Sequence, residues 1–205
     1  MESHDHLEAT MGHAHGLGVQ YVRYERHGMG KARNALEATN YRVEKVVLVQ
    51  GAPVPSDCTV LVVTGPKVAL LPGEVASIRK YLDDVGSGFF MLDPYIVTGL
   101  EPLLREYGIV LDDDIVIDGS NHFWTDVSSP AVTEYSRHQV TRELPLTFFP
   151  GARSLEPTPQ RPINVMVSPL VDSSKNAFGE RDPKKADFDS GVDLGHPDIE
   201  GNLWL

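Results

Sequence analysis

The sequence predicts a three-layer α/β fold with a mainly parallel sheet, of the Rossmann or flavodoxin-like kind. Two short apolar runs, at residues 60–63 and 89–92, each end in a polar, turn-forming tip. Between them, apolar residues recur at the spacing of one helical face: Val75, Ile78, Leu82 and Val85. A strand, a helix and a second strand in this order indicate parallel neighbours, and open α/β sheets bind ligands at the carboxyl ends of such strands.

Local signals define the flanking elements. A helix is predicted to end at Asn40, and a β-branched run typical of a strand follows it. Pro72 suits the first position of the helix between the two apolar runs. Thr98 and Glu101 have the spacing of a capping box, and Gly108 is placed to end the helix that they begin.

The domain organisation is predicted from changes in composition. Residues 1–28 form a histidine-rich N-terminal segment that includes a candidate first strand, and residues 29–205 form a single α/β domain. After Asp118 the helical periodicity fades, and an irregular, proline-rich C-terminal portion is expected. The chain ends on apolar residues, from which we expect a domain truncated at its C-terminus.

The overall composition excludes several classes of protein. The 205-residue chain has a formal net charge of −11, which argues against nucleic acid or an anionic membrane surface as the main partner. Cys58 is the only cysteine, so no internal disulfide can form. No segment approaches the roughly 18 apolar residues of a membrane span.

A first group of candidate binding residues lies where the two apolar runs end. Gly65, Pro66 and Lys67 follow the first run, and Asp93 follows the second. Because both tips would face one crevice, Lys67 and Asp93 could contact a polar ligand there. The alternative is that they pair with each other, or that Lys67 is only solvated.

A second group lies in a cluster that is unusually basic and aromatic for an acidic chain. His138 and Arg153 fall close to two further arginines and to Phe148 and Phe149. The planar guanidinium of Arg153 would suit a carboxylate or a sugar. Alternatively, the aromatic rings pack on the sheet and Arg153 pairs with a nearby carboxylate.

The motifs of several enzyme classes do not occur. The Walker phosphate loop, the glycine-rich dinucleotide fingerprint and the GxSxG nucleophile elbow are missing from the sequence. The N-terminal segment holds two His-x-His pairs, of a kind that binds zinc, nickel or copper: His4, His6, His13 and His15. Such a tract is only compositional information, so neither a metal site nor a cofactor is predicted.

The order of these segments resembles a known family. The series consists of VLVVTGPK, MLDP, EYGI, VTEYSRHQVTREL and TFFPGARSLEP, in this order along the chain. It resembles the extracytoplasmic domain of the ABC-transporter auxiliary proteins associated with gliding motility, over roughly residues 10–205. That domain is distantly similar to the amino-terminal domain of certain intraflagellar-transport proteins.

The resemblance implies a glutamine-amidotransferase-like α/β sandwich without established catalytic residues. It further implies a periplasmic or extracytoplasmic domain that flanking segments anchor to a membrane, beside an ABC permease and an ATPase. Members commonly carry a GHGE-like turn after the first strand, whereas this chain has Gly12-His13-Ala14-His15. We therefore expect a non-catalytic auxiliary domain that binds a partner protein or a small polar ligand. The expected contact residues are Gly65, Pro66, Lys67, Asp93, His138 and Arg153.

Two other functions stay open at this point. The first is a metal-assisted hydrolase or isomerase that acts on a carbohydrate, built from His13, His15, Asp93 and His138. The second is a purely structural docking module, which predicts a large apolar surface patch and no small-molecule pocket.

Overall fold

The computed structural model describes residues 8–10, 19–23, 29–84, 86–158 and 163–182. These residues fall into two compact units. The first unit consists of the described residues up to Leu92 together with Ile96–Leu103, and the second consists of Asp93–Tyr95 and the described residues from Leu104 onward.

The first unit is built around a five-stranded sheet. Its elements are β1 (Glu8–Thr10), β2 (Val19–Arg23), α1 (Met29–Ala38), β3 (Val43–Val47), a 3₁₀ turn (Val49–Gly51), β4 (Val60–Thr64), α2 (Pro72–Asp83) and β5 (Ser87–Met91). The strand order is β3-β1-β2-β4-β5. Strand β4 is parallel to β2 and to β5, whereas β1 is antiparallel to both β2 and β3.

Strand β4 lies between β2 and β5 in this sheet and is buried on both faces. Leu61 and Val63 are fully buried, while Val62 on the other face joins the core that packs against α1. Helix α2 begins at Pro72 and buries Ile78 completely. The predicted strand–helix–strand unit is therefore confirmed, with β4 parallel to β5. The prediction succeeded because the apolar run of β4 and the apolar face of α2 are both evident from local spacing in the sequence.

The second unit consists of small antiparallel sheets. Helix α3 (Glu101–Glu106) begins in the first unit and ends in the second. The strands after it are β6 (Ile109–Leu111), β7 (Ile115–Ile117), β8 (His122–Phe123), β9 (Asp126–Val132), β10 (Thr147–Phe148), β11 (Leu155–Pro157) and β12 (Phe178–Glu180). Strands β10, β9 and β8 form one sheet in this order, β11 pairs with β6, and β12 pairs with β7. All of these pairs are antiparallel.

Two buried carboxylates stabilise the second unit. Asp114 accepts hydrogen bonds from the backbone nitrogen of Ser154 at 2.9 Å and from its hydroxyl at 2.7 Å. Asp118 accepts bonds from the hydroxyl of Ser174 at 2.7 Å and from its backbone nitrogen at 2.9 Å. Because buried carboxylates must be hydrogen-bonded to be tolerated, these contacts fix strand β7 to two segments far along the chain.

The prediction of a three-layer, mainly parallel, Rossmann or flavodoxin-like fold of the glutamine-amidotransferase kind is wrong. Among the described residues, parallel pairing is confined to β2, β4 and β5. A parallel neighbour needs a crossover of about a dozen residues or more, and α2 supplies one between β4 and β5. After α3 the described chain contains no further helix, so its short strands pair as antiparallel ribbons.

Candidate functional site

The six residues predicted for a binding site are divided between the two units. Gly65, Pro66 and Lys67 belong to the first unit, and Asp93, His138 and Arg153 belong to the second. The two strand tips that the sequence assigns to one crevice thus fall in different compact units.

The turn after β4 has a fixed backbone and an exposed lysine. Gly65 has a φ of +45°, and its backbone nitrogen donates to the carbonyl of Met91 at 2.7 Å, at the end of β5. Pro66 is buried, whereas Lys67 is exposed. Lys67 therefore lies at the carboxyl end of β4, as the sequence predicts, and a contact with a ligand stays a prediction.

Arg153 is buried and binds main-chain carbonyl groups. Its side chain is only 7% exposed. Nε donates to the carbonyl of Asp112 at 2.7 Å, and Nη1 donates to the carbonyl of Asp93 at 3.1 Å. The structure thus brings Asp93 and Arg153 together through the backbone of Asp93. These contacts hold separate chain segments in place, and the ligand role of Arg153 stays a prediction.

His138 lies in the loop between β9 and β10. Its Nδ1 accepts a hydrogen bond from the backbone nitrogen of Val140 at 3.2 Å, and its carbonyl accepts one from the backbone nitrogen of Thr141 at 3.2 Å. The side chain is exposed. The ring therefore closes a local turn, and its contact with a ligand or partner stays a prediction.

Of the four residues in the metal-dependent alternative, Asp93 and His138 are described, whereas His13 and His15 lie outside the described residues. His4 and His6 also lie there, and so does the turn expected after the first strand. Within the described ranges, no group of three or more histidine, cysteine, aspartate or glutamate side chains could hold a metal ion.

The second unit carries an exposed aromatic cluster of which only Phe148 was named from the sequence. We call Phe123, Trp124 and Phe148 the aromatic surface. The rings of Phe123 and Phe148 meet edge to face with centroids 4.6 Å apart, and Trp124 stacks on Phe123 at 6.4 Å. Their exposed fractions are 47% for Phe123, 87% for Trp124 and 36% for Phe148.

The hairpin between β8 and β9 holds the aromatic surface in place. The carboxylate of Asp126 accepts hydrogen bonds from the hydroxyls of Ser128 at 2.6 Å and Ser129 at 2.5 Å, and these bonds lower the pKa of Asp126. Trp124 has a φ of +50°, a left-handed conformation that is uncommon for a bulky residue. The sequence signals for this arrangement were the Phe123-Trp124 pair in a polar segment and Phe148 in the basic and aromatic cluster, and nothing in the sequence showed that these residues meet.

A cavity of about 470 Å³ lies in the first unit, away from the predicted crevice. Its lining includes Cys58 and Thr59 before β4, Gly86 and Ser87 at the start of β5, and one face of α2. Ser77, Lys80 and Tyr81 of α2 line it together with Asp84, the residue directly after the helix. Ser77 precedes Lys80 by three residues and Tyr81 by four, which places these side chains on one helical face. From the sequence, only the apolar residues of this helix were interpreted, as its buried face, and the polar residues beside them were not considered as part of a site.

Comparisons with known proteins identify the family. Residues 29–198 match the model of a family of auxiliary proteins described as an ABC-type uncharacterized transport system. Because the match covers most of the chain, the chain belongs to this family. The resemblance seen in the sequence is thereby confirmed at the level of an auxiliary component of an ABC transport system. No curated protein matches the chain.

A solved structure of the mmIFT52 N-terminal domain is distantly similar to this chain. The two share 18% sequence identity with a TM-score of 0.49, over 60% of this chain and 56% of that one. The chain thus spans little more than half of that structure. Within the described residues, no helix is long and apolar enough to cross a membrane.

Proposed function

We propose that this domain is a non-catalytic subunit that binds another protein of its ABC transport system through the aromatic surface. Membership of the auxiliary family supports a place beside a permease and an ATPase. The resemblance in sequence is the support for an extracytoplasmic location, for a membrane anchor in the full-length protein and for a link to gliding motility.

Trp124 provides the observation that carries this proposal. A non-glycine residue with a left-handed backbone is strained by about 1–3 kcal/mol, and an indole that is 87% exposed contributes little burial to compensate. Tryptophan is among the residues most enriched at the energetic centres of protein interfaces. A partner that covers Trp124 would remove the apolar surface of the indole from water, and this burial would contribute to the free energy of binding.

The charge of the chain limits the kind of partner surface. With a net charge of −11, the domain repels acidic surfaces at long range. Aromatic side chains favour an apolar pocket in the partner, with a polar rim around it. We therefore expect the contact on the transport subunit to be apolar at its centre and neutral or basic at its edge.

A pull-down from solubilised native membranes tests the proposal, with the full-length protein as bait. The wild type is expected to recover the permease and the ATPase. The double variant Trp124→Asn/Phe148→Ser is expected to lose them, while Lys67→Glu, an exposed change in the other unit, keeps them. If only Lys67→Glu failed to recover the transport subunits, the contact would lie at the end of β4 and not at the aromatic surface. Recovery of no transport subunit by the wild type would contradict the proposal.

A further inference from the structure

The cavity in the first unit is a candidate site that is independent of the proposed partner contact. It lies at the amino-terminal ends of β4 and β5, the edge of these strands opposite to Lys67. Its volume of about 470 Å³ is in the lower part of the range of roughly 300–1,000 Å³ that small-molecule sites span. The size therefore suits a small ligand.

One wall of the cavity is apolar and held rigidly. The hydroxyl of Tyr81 donates to the carbonyl of Ser87 and accepts from its backbone nitrogen, both at 3.2 Å. It also accepts a hydrogen bond from the thiol of Cys58 at 3.4 Å. A Cβ atom added at Gly86 would overlap the ring of Tyr81, so the ring lies directly on this glycine. Because the phenol oxygen has used its donor and both acceptor positions, the ring acts as a wall. Buried Val54 adds a second apolar group.

The rim of the cavity is polar but carries no net charge. Nζ of Lys80 lies 2.6 Å from Oδ2 of Asp84, and both side chains are largely exposed. Burial raises the pKa of the Cys58 thiol to about 11, so the thiol is uncharged at neutral pH. Ser56 and Thr59 contribute hydroxyl groups to the lining. The charges of the lining residues therefore sum to zero, while hydrogen-bond donors and acceptors are both present.

We propose that this cavity binds a small uncharged polyol of about the size of a monosaccharide. Its C–H face would pack on Tyr81 and Val54, and its hydroxyl groups would bind the ammonium of Lys80 and the carboxylate of Asp84. A neutral molecule that is apolar on one face and rich in hydroxyls matches both the wall and the rim. Because Nζ of Lys80 is already paired with Asp84, a carboxylate on the ligand would gain little from the ammonium and would meet the negative field of the whole chain.

The test uses a matched pair of probes, methyl glucoside and methyl glucuronide, which differ in one carboxylate. Each is titrated into the isotope-labelled protein across the millimolar range, and backbone amide shifts are followed by NMR. Saturable shifts are expected at Thr59 and Ser87, with the glucoside bound about five-fold more tightly, the effect of one exposed charge pair. Asp84→Lys, which gives the rim a net positive charge, is expected to reverse this preference.

Asp83→Lys is the control, because it makes the same change of charge at the neighbouring position, the last residue of α2, but outside the lining. It is expected to keep the preference for the glucoside. Asp84→Asn, a smaller change at an exposed position, should give an intermediate preference. Absence of saturable shifts with both probes would overturn the proposal, as would equal responses of Asp83→Lys and Asp84→Lys. Neither result would affect the aromatic surface, which belongs to the other unit.

Discussion

Asp114 and Gly179 are directly apposed in the second unit: a Cβ atom added at Gly179 would overlap the carboxylate of Asp114. The same carboxylate is fully buried and accepts two hydrogen bonds from Ser154. Strand β12 can thus pair with β7 only because residue 179 has no side chain. This arrangement joins three segments that are far apart in the sequence.

The first prediction concerns this apposition. Gly179→Ala is expected to lower the free energy of unfolding by about 1–3 kcal/mol, because the new methyl group overfills the site. Asp114→Ala should cost about 2–3 kcal/mol through the lost charged hydrogen bonds. The double variant should lose at least about 1 kcal/mol less than the sum, since removing the carboxylate makes room for the methyl group introduced at position 179. Urea unfolding measures all three, and strict additivity would contradict the arrangement.

A second prediction separates two of the residues proposed from the sequence. Arg153→Met should destabilise the protein by at least about 2 kcal/mol, because the carbonyl groups of Asp93 and Asp112 lose a charged donor. Lys67→Met, at an exposed position, should stay within about 0.5 kcal/mol of the wild type. Thermal and urea unfolding provide the values. An unchanged stability for Arg153→Met would show that the guanidinium does not hold the fold.

The third prediction concerns alkaline pH. Burial raises the pKa of Cys58 from its ordinary 9.0 to about 11. The unfolded chain therefore releases this proton first as the pH rises, so the contribution of Cys58 to stability is intact below pH 9.0 and is lost towards pH 11. Cys58→Ala should show a smaller fall in unfolding free energy across this window. Burial also raises the pKa of Tyr81 and of Tyr95, so the unfolding free energy of both the wild type and Cys58→Ala still falls at alkaline pH. Identical pH profiles would contradict the assignment.

A fourth prediction concerns the stability of the hairpin that carries the aromatic surface. Trp124→Asn should not lower the free energy of unfolding by more than about 0.5 kcal/mol, because asparagine adopts the left-handed conformation readily. Phe148→Ser should cost more, since it removes the edge-to-face contact with Phe123. Chemical denaturation of the two single variants gives the comparison. A large loss with Trp124→Asn would mean that the indole stabilises the fold itself.

Local signals were sufficient for the elements around β4. The β-branched and apolar run, Pro72 at the first turn of α2 and the glycine that ends α3 all act within one element, so the sequence predicts them well. The contact of Thr98 with Glu101 was equally local, with the backbone nitrogen of Thr98 donating to Oε1 of Glu101 at 2.7 Å.

Sheet order and the second unit depended on contacts that no short pattern encodes. The short turn at Asp112-Asp113-Asp114 separates β6 from β7, and these strands pair with β11 and β12 rather than with each other. Asp114 of this turn is buried against Ser154. Three consecutive aspartates do not indicate that one of them is buried, so the sequence did not predict this contact. The exposure of Trp124 likewise depends on tertiary structure, because tryptophan is ordinarily a buried or half-buried residue.

The most direct test of the central claim is photocrosslinking in native membranes, with a benzoylphenylalanine placed at position 124 in the full-length protein. A second protein with the same group at position 67 serves as the comparison. We predict a crosslink from position 124 to a permease or ATPase subunit, and none from position 67. A crosslink to a transport subunit from position 67 alone, or from neither position, would contradict the account.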